Sequence, residues 1–293
     1  MANVKVGLIG GSGLGAALGG EEGQRVRPQT PFGAPSSAIT TTTWEGVDVA
    51  ILQRHGEGHV LSPSKVPYRA NIFALKSLGV THIVASAASG SLREEIAPGD
   101  LVITDQVIDK TFKRPGTFYE NAVVHVELSE PFCNVMREWL LAASTDLEDV
   151  RVHDGGVLVC MEGPAFSTKA ESAMHRTWGG DLIGMTVMPE ARLAREAEIA
   201  YAQVALPTDY DCWRPHAPST DRQALLAEII DNLQRATDNS MKLIRRALRD
   251  ISALESRPSL AHDALRLAIW TDRSRIDVDE VERLRVLWGR HFE

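Results

Sequence analysis

The 293 residues carry 31 basic and 39 acidic side chains, a formal charge of −8, with 44% hydrophobic and 24% charged residues. That length suits one large α/β domain or a domain with a helical appendage, and the balance is that of a soluble globular protein. The acidic excess argues against a general nucleic-acid binder, which presents a basic face, although a small anion site needs only local donors.

Residues 4–9 form a short apolar run that stops at Gly10-Gly11-Ser12-Gly13, which predicts a buried strand entering a glycine loop. Residues 47–53 and 83–87 have the same character, and Ile72, Leu75 and Leu78 predict an amphipathic helix over 68–78 between them. Further strands are expected at 101–103, 157–161, 182–183 and 200–206, with helices at 130–143 and 191–200. Strands alternating with helices imply an α/β fold. From Thr220 the pattern changes: Leu225, Leu226, Ile229, Ile230 and Leu233 recur at helical spacing, resuming through Ile244, Leu248 and Ile251. Helices are also expected at 260–270 and 277–291. No linker precedes this stretch, so 1–219 reads as the core and 220–293 as helices flanking it in the same domain.

Cys133, Cys160 and Cys212 are odd in number and widely spaced, so neither a disulfide framework nor a metal site is expected. The first ten residues lack a basic segment followed by a long apolar one, and no run reaches the length of a membrane span. The expectation is a cytoplasmic protein without a membrane partner.

Gly11-Ser12-Gly13-Leu14-Gly15-Ala16 matches the dinucleotide fingerprint, but its context does not. A dinucleotide fold needs a long helix directly after the glycines and an acid about 20 residues on. Here Gly19, Gly20, Gly23, Pro28, Pro31 and Pro35 follow, and residues 29–37 hold no acid. What remains is a glycine turn whose amides, with the Ser12 hydroxyl, can hold an anion, or a tight turn needing positive φ.

Five later segments are more specific. They are Gln53-Arg54-His55-Gly56, Ser86-Ala87-Ala88-Ser89-Gly90-Ser91, Glu162-Gly163-Pro164-Ala165-Phe166-Ser167, Gly184-Met185-Thr186-Val187-Met188-Pro189-Glu190, and Thr208-Asp209-Tyr210-Asp211-Cys212-Trp213. In this order, over nearly all of residues 3–216, the chain resembles the methylthioadenosine phosphorylase branch of the purine nucleoside phosphorylase family.

The resemblance implies a single domain around a central mixed sheet, assembled as a homotrimer, with inorganic phosphate as co-substrate and no other cofactor. Carried over by position, Ser12, Arg54, His55, the Ala87–Ala88 backbone and Thr186 match the phosphate site. Met185 matches the residue under the ribose and Phe166 the ring near the base. Asp209 and Asp211, with Tyr210 between them, match the pair facing the purine, and Ser167 belongs to the same pocket. His125 matches a histidine that reaches the neighbouring subunit's site.

The chemistry implied is phosphorolysis of a 5′-modified adenosine. It passes through an oxocarbenium-like sugar, which an anionic phosphate offsets from below. A raised-pKa Asp209 would protonate the leaving purine as general acid. Asp211 would accept from a 6-amino group and so favour adenine. Read alone, Asp-x-Asp equally suits a strand end or turn.

The family's human-type members carry threonine where Ala87 stands, and some carry asparagine at Gly184. Methylthio-specific relatives place valines where Thr220 and Gln223 stand. A capping box, Thr220 as N-cap and Gln223 at N3, accounts for these two; a more polar 5′ pocket is the alternative. A 5′-halogenated adenosine, methylthioinosine, and a non-catalytic nucleotide-binding module therefore stay open beside methylthioadenosine.

Overall fold

A computed structural model describes residues 4–18, 22–214 and 221–293. In chain order the strands are β1 Val6–Gly10, β2 Gln24–Val26, β3 Ile39–Trp44, β4 Val47–Gln53, β5 His82–Ser91, β6 Leu101–Ile103, β7 Gln106–Lys110, β8 Val152–Asp154, β9 Val157–Met161, β10 Leu182–Gly184 and β11 Ala200–Tyr210. The helices are α1 Leu14–Leu18, α2 Tyr68–Ser77, α3 Asn134–Ser144, α4 Lys169–Thr177, α5 Val187–Glu196, α6 Arg222–Leu248, α7 Ser252–Glu255, α8 Val278–Arg283 and α9 Arg285–Trp288.

The strands form one mixed sheet in the order β2-β3-β4-β1-β5-β10-β9-β7, and β11 pairs with β5 and β6, β6 with β8. Side chains alternate across it, as strand geometry requires. Val49 and Ile51 of β4 and Ala202, Val204 and Leu206 of β11 face α1, α3 and α6. Ala50 and Leu52, with Tyr201 and Ala205, face the other way, towards α2, α5 and the C-terminal tail. Burial on both faces explains why these strands read as continuous apolar runs and not as alternating ones.

Strand β5 is the hinge of the architecture. It runs parallel to β1 from His82 to Ser86 and to β11 along nearly its whole length, then meets β10 antiparallel at Gly90 and Ser91. The β1 ladder ends at Gly10, opposite Gln53 on one side and Ser86 on the other. A gap therefore opens at the carboxyl ends of three adjacent parallel strands, the position where open α/β sheets bind ligands.

Strands 47–53, 101–103 and 157–161 coincide with the expected ranges, the helix expected at 130–143 begins only at Asn134, and three other helices differ further. The helix expected at 191–200 spans Val187–Glu196, because Glu198 takes a left-handed φ of 53° and turns the chain into β11. Only a 3₁₀ turn, Leu260–Asp263, stands where a helix over 260–270 was expected. The rest is drawn into pairing with the segment around His125: Val124 bridges Ile269, and the Trp270 amide donates to the Val123 carbonyl (3.0 Å). Tertiary pairing overrides helical spacing there. The expected helix over 277–291 is broken at Leu284 into α8 and α9, followed by a 3₁₀ turn.

The tail is part of the same core. Trp288 is fully buried, tilted against Tyr119 (4.7 Å) and edge-on to Phe292 (5.0 Å), with its indole N–H donating to the Val281 carbonyl (3.2 Å). Trp288→Ala is predicted to cost about 3–5 kcal/mol of folding stability, measured by urea unfolding. A loss under about 1 kcal/mol would show that the tail is not integral to the core.

Candidate active site

The three strand ends are tied together by backbone bonds: the Arg54 amide donates to Gly10 (2.9 Å) and the Gly11 amide to Ser86 (3.1 Å). Gly11 must be glycine here, since a Cβ would lie 2.6 Å from Arg54 Nη1 and 2.8 Å from the Ser86 carbonyl. Gly13, at φ 82°, packs against Leu233 and Thr237 of α6. The turn thus rests on the Arg54 guanidinium on one side and on the long helix on the other.

Arg54 is fully buried. Its Nε and Nη2 donate to Glu190 (2.7 and 2.8 Å) and its Nη1 to the Ser86 carbonyl (2.8 Å). Burial works against the charge, but attraction to Glu190 and the hydrogen bonds outweigh it and hold the guanidinium pKa above its ordinary value. Tyr201 donates its hydroxyl to Glu190 (2.8 Å), completing a buried triad. Arg54 is therefore a fixed cation, held by a buried carboxylate and not by solvent. It is a neutralised, aimed group under the glycine turn.

Beside that turn lies a pocket of about 120 Å³, lined by Gly10, Gly11, Gly13, Gln53, His55 and His59 among others. It suits a small anion better than a nucleoside, whose pockets run to several hundred Å³. His55 sits within it, stacked on His59 (4.2 Å), with Nδ1 2.7 Å from the Leu61 carbonyl. A carbonyl only accepts, so Nδ1 carries the proton. Burial, chiefly, lowers the His55 pKa to about 4, so near neutral pH the ring is uncharged and Nε2 offers a lone pair. Ser12 is half-buried in the turn, Ala87 is buried, Ala88 is half-buried, and Thr186 is buried at the entry to α5.

A second group lies further along β5 and β11. Gly163, at φ 66°, packs on Met185, so that a Cβ there would lie 2.5 Å from its sulfur. Cys212 donates to the Ser167 carbonyl (3.3 Å), placing Ser167 beside the Asp-x-Asp segment. Asp211 packs beside Gly90 of β5, and its amide donates to the Ser91 carbonyl (2.9 Å). Asp211 is buried, and its Oδ2 has no hydrogen-bond partner among the described residues. Asp209 accepts from the Thr208 hydroxyl (2.7 Å).

Other positions stand differently. Phe166 is 86% exposed, and no aromatic ring among the described residues stacks on it. The Tyr210 hydroxyl donates to the Glu94 carbonyl (3.1 Å) while its ring packs on Trp213 and Arg214, on the side opposite the two aspartates. His125 is exposed and meets Trp270 edge-on at 4.9 Å. Thr220 lies outside the described residues. The N-cap of α6 is Asp221, which accepts from the Gln223 amide (2.9 Å), and Gln223 is exposed at N2. The expected Thr220–Gln223 capping box is thereby corrected: an aspartate one residue later satisfies the free amide.

Sequence reasoning missed Glu190 as a partner of Arg54, and it missed Arg114 and Glu162. Arg114, whose side chain is 1% exposed, donates to the carbonyls of Glu162, Met185 and Met188, each at 2.6 Å. Glu162 accepts from the Phe112 amide (2.7 Å) and from Ser64. Burial opposes its charge, but these bonds and Arg114 outweigh that and lower its pKa. One arginine thus pins the loop carrying Phe166 to the turn carrying Met185. No local motif marks it, since its three carbonyl partners lie 48–74 residues away.

The family model of the Phosphorylase superfamily matches residues 5–249. The S-methyl-5′-thioadenosine phosphorylase of Chloroflexus aurantiacus is 48% identical, with all of both chains covered. That of Synechocystis is 44% identical over all of this chain and 89% of the relative. The chain belongs to the phosphorylase superfamily, among its methylthioadenosine phosphorylases. A crystal structure of methylthioadenosine phosphorylase from an Antarctic soil metagenomic library has a TM-score of 0.89 at 43% identity, covering 98% of this chain and 99% of that one. A mutant of the Schistosoma mansoni adenosine/methylthioadenosine phosphorylase, in complex with methylthioadenosine, has a TM-score of 0.80 at 33% identity, covering 92% and 99%. No described helix is long and apolar enough to cross a membrane.

Removing one partner of a buried ion pair strands the other charge. Glu190→Ala is predicted to cost about 3–5 kcal/mol in stability, read from chemical denaturation. A loss below about 1 kcal/mol would mean that the pair behaves as a solvated one.

Proposed function

We propose that this chain releases adenine from 5′-methylthioadenosine by phosphorolysis, leaving 5-methylthioribose 1-phosphate. Phosphate sits on the glycine turn beside Ser12, His55, Thr186 and the Ala87–Ala88 backbone, with Arg54 beneath. His55, neutral and with its lone pair on Nε2, suits a phosphate that keeps a proton to donate to it. The nucleoside lies beyond, its ribose over Met185 and its base towards Phe166, Ser167 and the two aspartates.

A phosphate oxygen bonds to the anomeric carbon as its bond to the purine nitrogen breaks, and positive charge builds on the sugar beside the anion. That arrangement favours the transition state over the bound substrate. Asp209 passes a proton to the purine N7.

The observation that carries the choice of base is Asp211 Oδ2, buried without a partner among the described residues. A buried acceptor left unpaired is costly, and the 6-amino group of adenine supplies its donor. A 6-oxo group would set two acceptors against each other. Gln223, exposed on α6, gives no support to a more polar 5′ pocket, and the names of the relatives favour the methylthio group. In a cytoplasmic homotrimer, exposed His125 would reach a neighbouring subunit's site. No cofactor besides phosphate is needed for these steps.

The test compares methylthioadenosine with methylthioinosine, following base release in phosphate buffer. The wild type should favour the adenosine, and Asp211→Asn should erode that preference roughly tenfold, because an amide can donate to a 6-oxo group. Absence of adenine release by the wild type refutes the function; an unchanged preference in the variant refutes the role of Asp211.

A further inference from the structure

A cavity larger than the pocket at the glycine turn lies elsewhere in the molecule. It lies at the other end of β5, between the amino ends of the central strands and the C-terminal tail, with a volume of about 580 Å³. That is the size of a pocket for a small organic molecule. Its walls are apolar where Val4, Leu254, Pro258 and Leu287 meet. Two polar side chains within them, buried His82 and half-buried Lys76, are poorly partnered among the described residues.

His82, the first residue of β5, is 2% exposed. Its Nδ1 lies 2.8 Å from the Thr81 hydroxyl, and its Nε2 has no partner among the described residues. The Thr81 hydroxyl also lies 3.3 Å from the Lys5 carbonyl; donated along its shorter contact, to Nδ1, its one proton leaves the His82 proton on Nε2, an N–H donor in the wall. Lys76, at the end of α2, is the second. Among the described residues its ammonium meets only the Glu198 carbonyl, at 3.5 Å, and makes no salt bridge. The Glu198 carboxylate is taken by Arg290 (2.8 Å), His291 (3.1 Å) and the Leu265 amide (3.0 Å). The arginines of the rim are likewise matched, Arg257 with Glu138 and Arg285 with Glu282.

We propose that this cavity is a second binding site, taking a small organic anion with a flat apolar body, held by Lys76 and His82. The anionic group, a carboxylate or a phosphate monoester, accepts from the Lys76 ammonium and from His82 Nε2, while the body packs against Leu254 and Leu287. Burial lowers the Lys76 pKa, which a bound anion would offset. It also lowers that of His82 to about 3, so the ring contributes a hydrogen bond and not a charge. The site is separate from the glycine turn, since β5 runs from His82 at one to Ser86 at the other.

The test titrates the full chain with benzoate, phenyl phosphate and neutral benzyl alcohol by calorimetry, with inorganic phosphate present at saturation. At least one aromatic anion should bind, benzyl alcohol should not, and Lys76→Met should weaken binding about tenfold. Benzoate alone identifies a carboxylate site, phenyl phosphate alone a phosphate-ester site, and both together a site for either. His82→Phe should weaken it as well, while both variants keep wild-type binding of inorganic phosphate. Failure of both anions to bind, equal binding of benzyl alcohol, or an unchanged affinity in Lys76→Met would overturn the proposal. Lys76 lies partly exposed at a helix end, so its variant remains informative should His82→Phe fold poorly.

Discussion

The bidentate pair of Arg54 with Glu190 is the interaction on which the site depends. Both side chains are completely buried, so neither charge would be tolerable alone. The pair joins the end of β4 to α5, and the third Arg54 donor reaches β5 through the Ser86 carbonyl. Three carboxyl-terminal strand ends are thereby locked in register under a turn that has room only for glycine at Gly11. The small pocket beside the turn follows from that packing. A positive centre fixed by a carboxylate, and not by solvent, does not reorganise when charge develops nearby.

The second half of the site is built on a different principle. Arg114 spends its donors on backbone carbonyls and so holds two loops at a fixed spacing, with Met185 on one and the Phe166 segment on the other. α6 closes the arrangement from above: Asn232 donates to the Thr208 carbonyl (3.0 Å), just before the Asp-x-Asp segment. Residues far from the chemistry thus set its geometry, and Phe166 and Asp211 are left facing outward or unpaired where a ligand would meet them.

Much of this was legible from the chain alone. Strands buried on both faces have an unmistakable apolar signature, so β4, β6 and β9 fall on their expected residues. The short strands β2, β7 and β8 escaped because they lie largely at polar, partly exposed positions. The tail misled for the opposite reason: residues 260–270 have helical spacing but are held by pairing with 123–125, which no local pattern encodes. Candidate ligand residues stood out as motifs, whereas their supports, Glu190 to Arg54 and Arg114 to Met185, are long-range pairs visible only in space. The protonation of His55 depends on the Leu61 carbonyl and on burial, so the sequence could offer the residue but not its role.

The central claim is that phosphate, held over the buried pair, is the nucleophile. Phosphorus NMR of the enzyme with methylthioadenosine tests it most directly, by following the inorganic phosphate and any new ester signal together with adenine. The account predicts one sugar phosphate formed for each adenine released, and no release when phosphate is left out. Adenine appearing at the same rate without phosphate, or without a matching ester, would contradict it.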